Sequence, residues 1–122
     1  MRPELENKLV ADYPLLFRNI SEGPMVSPMC FGVECGDGWY PLLDETCRLL
    51  SRHEPLSGAR LVQVKEKYGT LRVYLSHQDD YADGVIDMAE ALSSRTCEVC
   101  GQPGKPNSRG WIMTRCEGCR EA

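Results

Sequence analysis

Apolar residues near the start of the chain fall at Leu5, Leu9, Tyr13 and Leu16, close to one helical face, with Pro3 suited to a first turn and Pro14 breaking the run. This predicts a helix over about residues 3–12. From Ser21 to Cys30 the periodicity is interrupted by Gly23, Pro24 and Pro28, which predicts an irregular connection that brings Met25 and Met29 against an apolar surface. Phe31 to Cys35 is a short strand candidate, ended by a turn at Gly36-Asp37-Gly38. Trp39, Leu42, Leu43, Thr46, Cys47 and Leu50 then recur as one helical stripe, with Asp44, Glu45, Arg48 and Arg52 on the other side and Asp37 placed to cap the helix.

Leu61–Glu66 and Thr70–Leu75 are β-rich runs joined by Lys67-Tyr68-Gly69, where the glycine accepts the positive φ of a tight reversal. Together they predict a hairpin with Val62, Val64, Leu71, Val73 and Leu75 facing the core, and Gln63, Lys65, Arg72 and Tyr74 facing outward. Asp79 and Asp80 are cap residues for a further helix in which Tyr81, Val85, Ala89 and Leu92 keep helical spacing despite Gly84. The pattern predicts an α+β fold, helices packed on a short antiparallel hairpin sheet, with residues 1–94 forming the α+β unit and residues 95–122 a separate cysteine module.

In that module, Cys97-Glu-Val-Cys100 and Cys116-Glu-Gly-Cys119 are two Cys-x-x-Cys pairs separated by fifteen residues. Two intervening residues let a tight knuckle aim both sulfurs at one ion, and two such pairs complete a tetrahedron, so Cys97, Cys100, Cys116 and Cys119 are the expected ligands of a structural Zn²⁺. Four thiolates close the shell and leave no position for a reactive water. Gly101 and Gly118 give the knuckles backbone freedom. Gly104, Pro106 and Gly110 punctuate the excursion between the pairs, and Trp111–Thr114 reads as a strand that delivers the second pair to the first. The arrangement reads as a C-terminal zinc ribbon, with little room after Cys119 for the helix of a treble clef.

Composition changes this picture little: 122 residues, 42% hydrophobic and 26% charged, suit one small core with an appended module. No early apolar stretch is long enough for a signal peptide or a bilayer span, so a cytoplasmic location and no membrane partner are expected. An odd count of seven cysteines in such a compartment favours metal ligands and buried thiols over disulfides. The formal charge of −4 is uneven, with nine basic against fifteen acidic residues up to position 94 and five against three beyond it. That balance disfavours indiscriminate nucleic-acid binding and leaves local basic faces open.

Lys65, Lys67, Arg72 and Tyr74 would form such a face on the hairpin, and Lys105, Arg109, Trp111 and Arg115 another on the ribbon, while Trp111 could instead roof the metal core. Cys30, Cys35 and Cys47 with His53 or His77 match no metal-site template and read as thiols, Cys47 on a buried stripe. Glu34, Asp37, Asp44 and the Gln63-Val64-Lys65 triplet are residue types found in metal-dependent nucleases, each with a simpler structural role available.

The segments Phe31-Gly-Val-Glu-Cys-Gly-Asp-Gly-Trp39 and Gln63-Val-Lys-Glu-Lys-Tyr-Gly-Thr-Leu-Arg-Val-Tyr74, followed by the paired cysteines, resemble a family of small phage and prophage proteins of no assigned activity. The resemblance spans most of residues 31–119, with Val33 and Tyr68 standing where the family pattern has Phe. It implies a host-cytoplasm setting and supplies no catalytic residues. The expected role is that of a non-enzymatic, zinc-stabilised binding protein acting on a protein partner, for which inhibition of a host system is one form. The acidic part up to position 94 suits a basic partner. A nucleic-acid-binding zinc ribbon and a metal-dependent nuclease are the alternatives.

Overall fold

The computed structural model describes residues 1–120; Glu121 and Ala122, the end of the 95–122 module, lie outside the described residues. Helix α1, Pro3–Asp12, starts on a proline whose missing N–H costs nothing at a first turn. Its Glu6 reaches across the fold, Oε1 accepting from Val33 N at 2.7 Å, and so positions strand β1, Val33–Glu34. The strand is shorter than Phe31–Cys35 because a 3₁₀ turn occupies Pro28–Phe31 and Gly32 takes a φ of 78°. Of the two methionines in the preceding loop only Met29 is buried; Met25 is 98% exposed, which corrects the expectation that both meet apolar surface.

Helix α2, Tyr40–Ser51, buries Leu43, Thr46, Cys47 and Leu50. Trp39 belongs to the 3₁₀ turn Asp37–Trp39 just before it, where it is fully buried. Asp37 does not cap α2; its Oδ1 accepts from Arg2 N at 2.9 Å. Because α2 crosses over between β1 and strand β2, Leu61–Lys67, those strands pair in parallel, Val33 against Val64 and Glu34 against Lys65. Strand β3, Thr70–Leu75, pairs with β2 antiparallel through a two-residue turn in which Tyr68 and Gly69 take φ of 53° and 80°, the left-handed pair that suits strand twist. The sheet order is β1-β2-β3.

The register of β2 shifts between Leu61 and Gln63. This irregularity turns Leu61 and Val64 inward and leaves Val62 half-buried, where strict alternation had paired Val62 with Val64. Leu71 and Val73 complete the sheet's apolar face, which packs with Leu9, Phe17, Met29, Trp39 and Leu43 in one core.

Helix α3, Asp80–Ser93, is capped by Asp79, whose Oδ1 accepts from Ala82 N at 3.0 Å and whose Oδ2 lies 2.9 Å from His53 Nε2. The Ala82 N–H, followed by His53, holds the Asp79 carboxyl below its usual range. Ala82, Ala89 and Ser93 are the residues α3 buries. A Cβ added at Gly84 would meet nothing within 4 Å. Gly84→Ala is therefore expected to stabilise the chain by about 0.8–1 kcal/mol through helix propensity alone, read as a raised urea midpoint. Among the described residues no helix is long and apolar enough to cross a membrane.

Candidate metal centre and the cleft beside it

The C-terminal turn of α3 leads into a knuckle, Cys97–Gly101, closed by Gly101 N donating to Cys97 O at 2.9 Å. Gly101 takes a φ of 82°, the left-handed conformation that such a reversal needs, whereas Gly118 has no such requirement. Two-residue strands β4, Lys105–Pro106, and β5, Thr114–Arg115, pair antiparallel and return the chain to the knuckle. Of the second pair, Cys116 precedes and Cys119 lies within α4, Glu117–Arg120, a single helical turn where little room for a helix was expected. Arg120 latches that turn, donating from Nε to Arg115 O at 3.2 Å and from Nη2 to Lys105 O.

The Sγ atoms of Cys97, Cys100, Cys116 and Cys119 all lie within 4.8 Å of one another, and those of Cys100 and Cys116 are 3.6 Å apart. All four are free thiols. A regular tetrahedron with metal–sulfur bonds of about 2.3 Å has edges of about 3.8 Å, so the four sulfurs fit one metal ion. The electrostatics agree. At Cys97 burial opposes ionisation, but backbone N–H groups of Cys116, Cys100 and Val99 outweigh it and lower the thiol to about 6. Cys119, crowded by Cys116, Cys97 and Cys100, is pushed up to about 12, and the Cys100 thiol is raised too. A dication bound among the sulfurs would favour the thiolate form of the groups that meet it.

The module sits on the α+β unit through backbone contacts. Gly38 N donates to Glu98 O at 2.7 Å, Gly36 N donates to Glu98 Oε2 at 2.9 Å, and Trp39 Nε1 donates to Thr96 O at 2.8 Å. On the other side Glu98 N donates to Thr114 O at 2.9 Å, and Thr114 Oγ1 donates to Gly69 O at 2.6 Å, so the hairpin turn is part of the seat. Segments 31–39 and 63–74 thus both contact the cysteine module. Burial, with Glu66 adding to it, raises the Glu98 carboxyl against the pull of the Gly36 N–H and Arg115.

Docking the module on the hairpin builds a cleft of about 370 Å³ lined by Lys65, Glu66, Lys67, Tyr68, Gly110, Trp111 and Ile112. Trp111 is 79% exposed, so it does not roof the metal core. Asn107 shapes its loop: Nδ2 donates to Arg109 O and Trp111 O, both at 2.8 Å, and Oδ1 accepts from Met113 N at 2.8 Å. Lys67 Nζ lies 5.6 Å from the centre of the Tyr68 ring. Neither Lys65 nor Lys67 makes an ion pair among the described residues.

The predicted face is therefore divided. Lys65, Lys67 and Trp111 come together, while Arg72, opposite Lys65 on β3, lies 3.6 Å from a Glu90 carboxylate oxygen. Tyr74 stands opposite Gln63 and Arg109 is exposed in the loop; neither lines the cleft. Lys105 and Arg115 face one another across β4 and β5 in a separate hollow with Arg120. Tyr68, Ile112 and Asn107 were missed from the sequence; the left-handed turn at Tyr68 and the side-chain bonding habit of Asn in loops were the available signals.

Among the described residues the cysteine quartet is the only group of three or more metal-ligating side chains brought close together. Asp44 Oδ1 accepts from Tyr13 OH at 2.8 Å and Asp37 is held by Arg2, so the nuclease-like carboxylates do not converge. Burial pushes the Cys35 thiol up to about 12 and raises Cys47 as well, which leaves both as core thiols and poor ligands. Compared with known proteins, the chain matches no family model, no curated protein and no solved structure.

Proposed function

We propose that the chain is a non-enzymatic binding protein whose C-terminal module folds around a structural zinc ion, and that it acts by docking the cleft beside that module onto an acidic surface of a protein partner. The chemistry of the donor set supports zinc: four thiolates at tetrahedral spacing close the shell of an ion that has no redox chemistry and no open position to offer. The observation that carries the binding role is the exposure of Trp111 and Tyr68, 79% and 69%, beside two lysines free of carboxylate partners. Large exposed aromatics are the usual interface anchors, and the lysines beside them bias the contact towards an acidic surface. Ile112 adds aliphatic surface, which suits a protein side chain. The family resemblance supplies a setting, a bacterial cytoplasm during phage or prophage expression, in which such docking would inhibit a host system.

The second reading, single-stranded nucleic acid, is favoured by the same indole and ammonium groups, since bases stack on aromatics and phosphates follow lysines. Against it stand two cleft lysines in a chain of net charge −4. Capture from host lysate with wild-type and Trp111→Ala baits tests the main reading. A specific protein is expected on the wild type and lost by at least about tenfold on Trp111→Ala, whose metal content stays unchanged. Identical captures by both baits reject the cleft as the docking surface. Titration with an oligothymidylate decides the alternative: salt-sensitive binding at physiological ionic strength that falls in Lys65→Ala/Lys67→Ala would replace the protein reading with the nucleic-acid one.

A further inference from the structure

Helical spacing assigns Tyr81, Val85, Ala89 and Leu92 to one stripe, yet the side of α3 turned into the core presents the small residues Ala82, Ala89 and Ser93. Val85 and Ile86 pack half-buried against the core, while Tyr81, Met88 and Leu92 stay outside. Met88 is 62% exposed, Leu92 43% and Tyr81 37%. With Val85, and with Leu42 and Leu49 of α2 opposite, they line an open groove of about 430 Å³. That size accepts a few side chains of another helix.

Gly84 also lines this groove. Glycine weakens a helix interior, and nothing within 4 Å of its missing Cβ requires it here, so packing within the chain gives no reason for it. A glycine on a helix surface between apolar side chains lets a second backbone approach closely. The charges indicate what that backbone carries. Helix α3 holds Asp80, Asp83, Asp87 and Glu90 and no Lys or Arg, and the charged residues lining the groove are Glu45 and Asp80. Arg48 pairs with Glu45 and Arg72 with Glu90, whereas Asp80, Asp83 and Asp87 form no ion pair among the described residues.

We propose that the groove between α2 and α3 is a docking site for a basic amphipathic helix of a protein partner, its apolar face entering beside Met88 and Leu92 and its backbone crossing at Gly84. A second copy of the chain is a poor occupant, because a two-fold contact would set this acidic face against itself. The site is separate from the Trp111 cleft and shares with it only the premise that the partner is a protein.

The probe is a fluorescent helical peptide with Leu at i, i+3, i+4 and i+7, Ala at the crossing point and Lys elsewhere, compared with its twin in which every Lys is Glu. By anisotropy the Lys peptide is expected to bind the wild-type chain at least about tenfold more tightly than the Glu twin. Gly84→Leu is expected to weaken it about tenfold or more by filling the crossing point, and Gly84→Ala less, while neither variant melts below the wild type. Met88→Glu should also weaken binding, and Trp111→Ala should leave it unchanged, which separates failure at the groove from failure at the cleft. Equal binding of both peptides, or full affinity in a folded Gly84→Leu chain, would overturn the proposal. So would a concentration-dependent dimer abolished by Gly84→Leu, which assigns the groove to a second copy.

Discussion

Chelating the metal at neutral pH is expected to unfold the module beyond Arg95 and to weaken the α+β unit that seats it. From Arg95 to Arg120 only Cys97 and Thr114 are buried, so the segment has no apolar core to hold it once the ion leaves. In isolated zinc-finger peptides metal binding contributes an apparent ~10–16 kcal/mol, far more than so small a segment gains from packing. Loss of the knuckle also strips Trp39 Nε1 of its acceptor at Thr96 and Gly38 N of its acceptor at Glu98, which carries the damage into the unit.

The measurement is elemental analysis with a thermal melt before and after chelation. One ion per chain is expected, with a lower melting temperature after removal and recovery on zinc addition. Cys97→Ser should behave as the chelated chain and Cys30→Ser as the wild type, because Cys30 lies outside the quartet. A metal-free chain that melts unchanged would remove the structural role of the ion. Protons compete for the same sulfurs, so the ion is retained above neutrality and lost on acidification.

Gly38→Ala is expected to cost about 2–4 kcal/mol, an unusually large effect for one added methyl. The new Cβ would stand 2.1 Å from Cys97 O, 2.6 Å from Gly101 N and 2.7 Å from the Glu98 carbonyl carbon, all backbone atoms of the metal knuckle. No side-chain rotation relieves that overlap, so the module must move away and the bond from Gly38 N to Glu98 O is lost. Gly38 has no positive φ; it is required for space. Gly23→Ala, where a Cβ meets nothing within 4 Å, is the control. The test is a urea midpoint together with protease cleavage near Ser94. A Gly38→Ala chain with wild-type values for both would show that the knuckle does not rest on this turn.

Helix α3 began at the cap that Asp79 announced, and the hairpin turned where Gly69 allowed it, because caps and tight turns are settled by a few neighbouring residues. The cysteine spacing was legible for the same reason, two residues within each pair being local geometry, whereas the returning strand is Thr114–Arg115 and not the expected Trp111–Thr114. The irregularity that exchanges Val62 for Leu61, the parallel pairing of Val33 with Val64 and the half-turn that holds Trp39 were not legible, since each depends on what packs against the strand from elsewhere.

The candidate binding surfaces divide in the same way. Residue types alone marked Lys65, Lys67 and Trp111 as able to bind, but grouped Trp111 with Lys105 and Arg115, its neighbours in sequence. Docking of Thr114 on the Gly69 carbonyl joined Trp111 to the hairpin, and Glu90 claimed Arg72. Likewise, periodicity could place Met88 and Leu92 on α3 without showing that α2 leaves them uncovered. Chemistry confined to a turn, a cap or a pair of thiols is written in consecutive residues. Which surfaces meet and which stay open depends on contacts between residues far apart in the chain, whose energies are decided together only when the core packs.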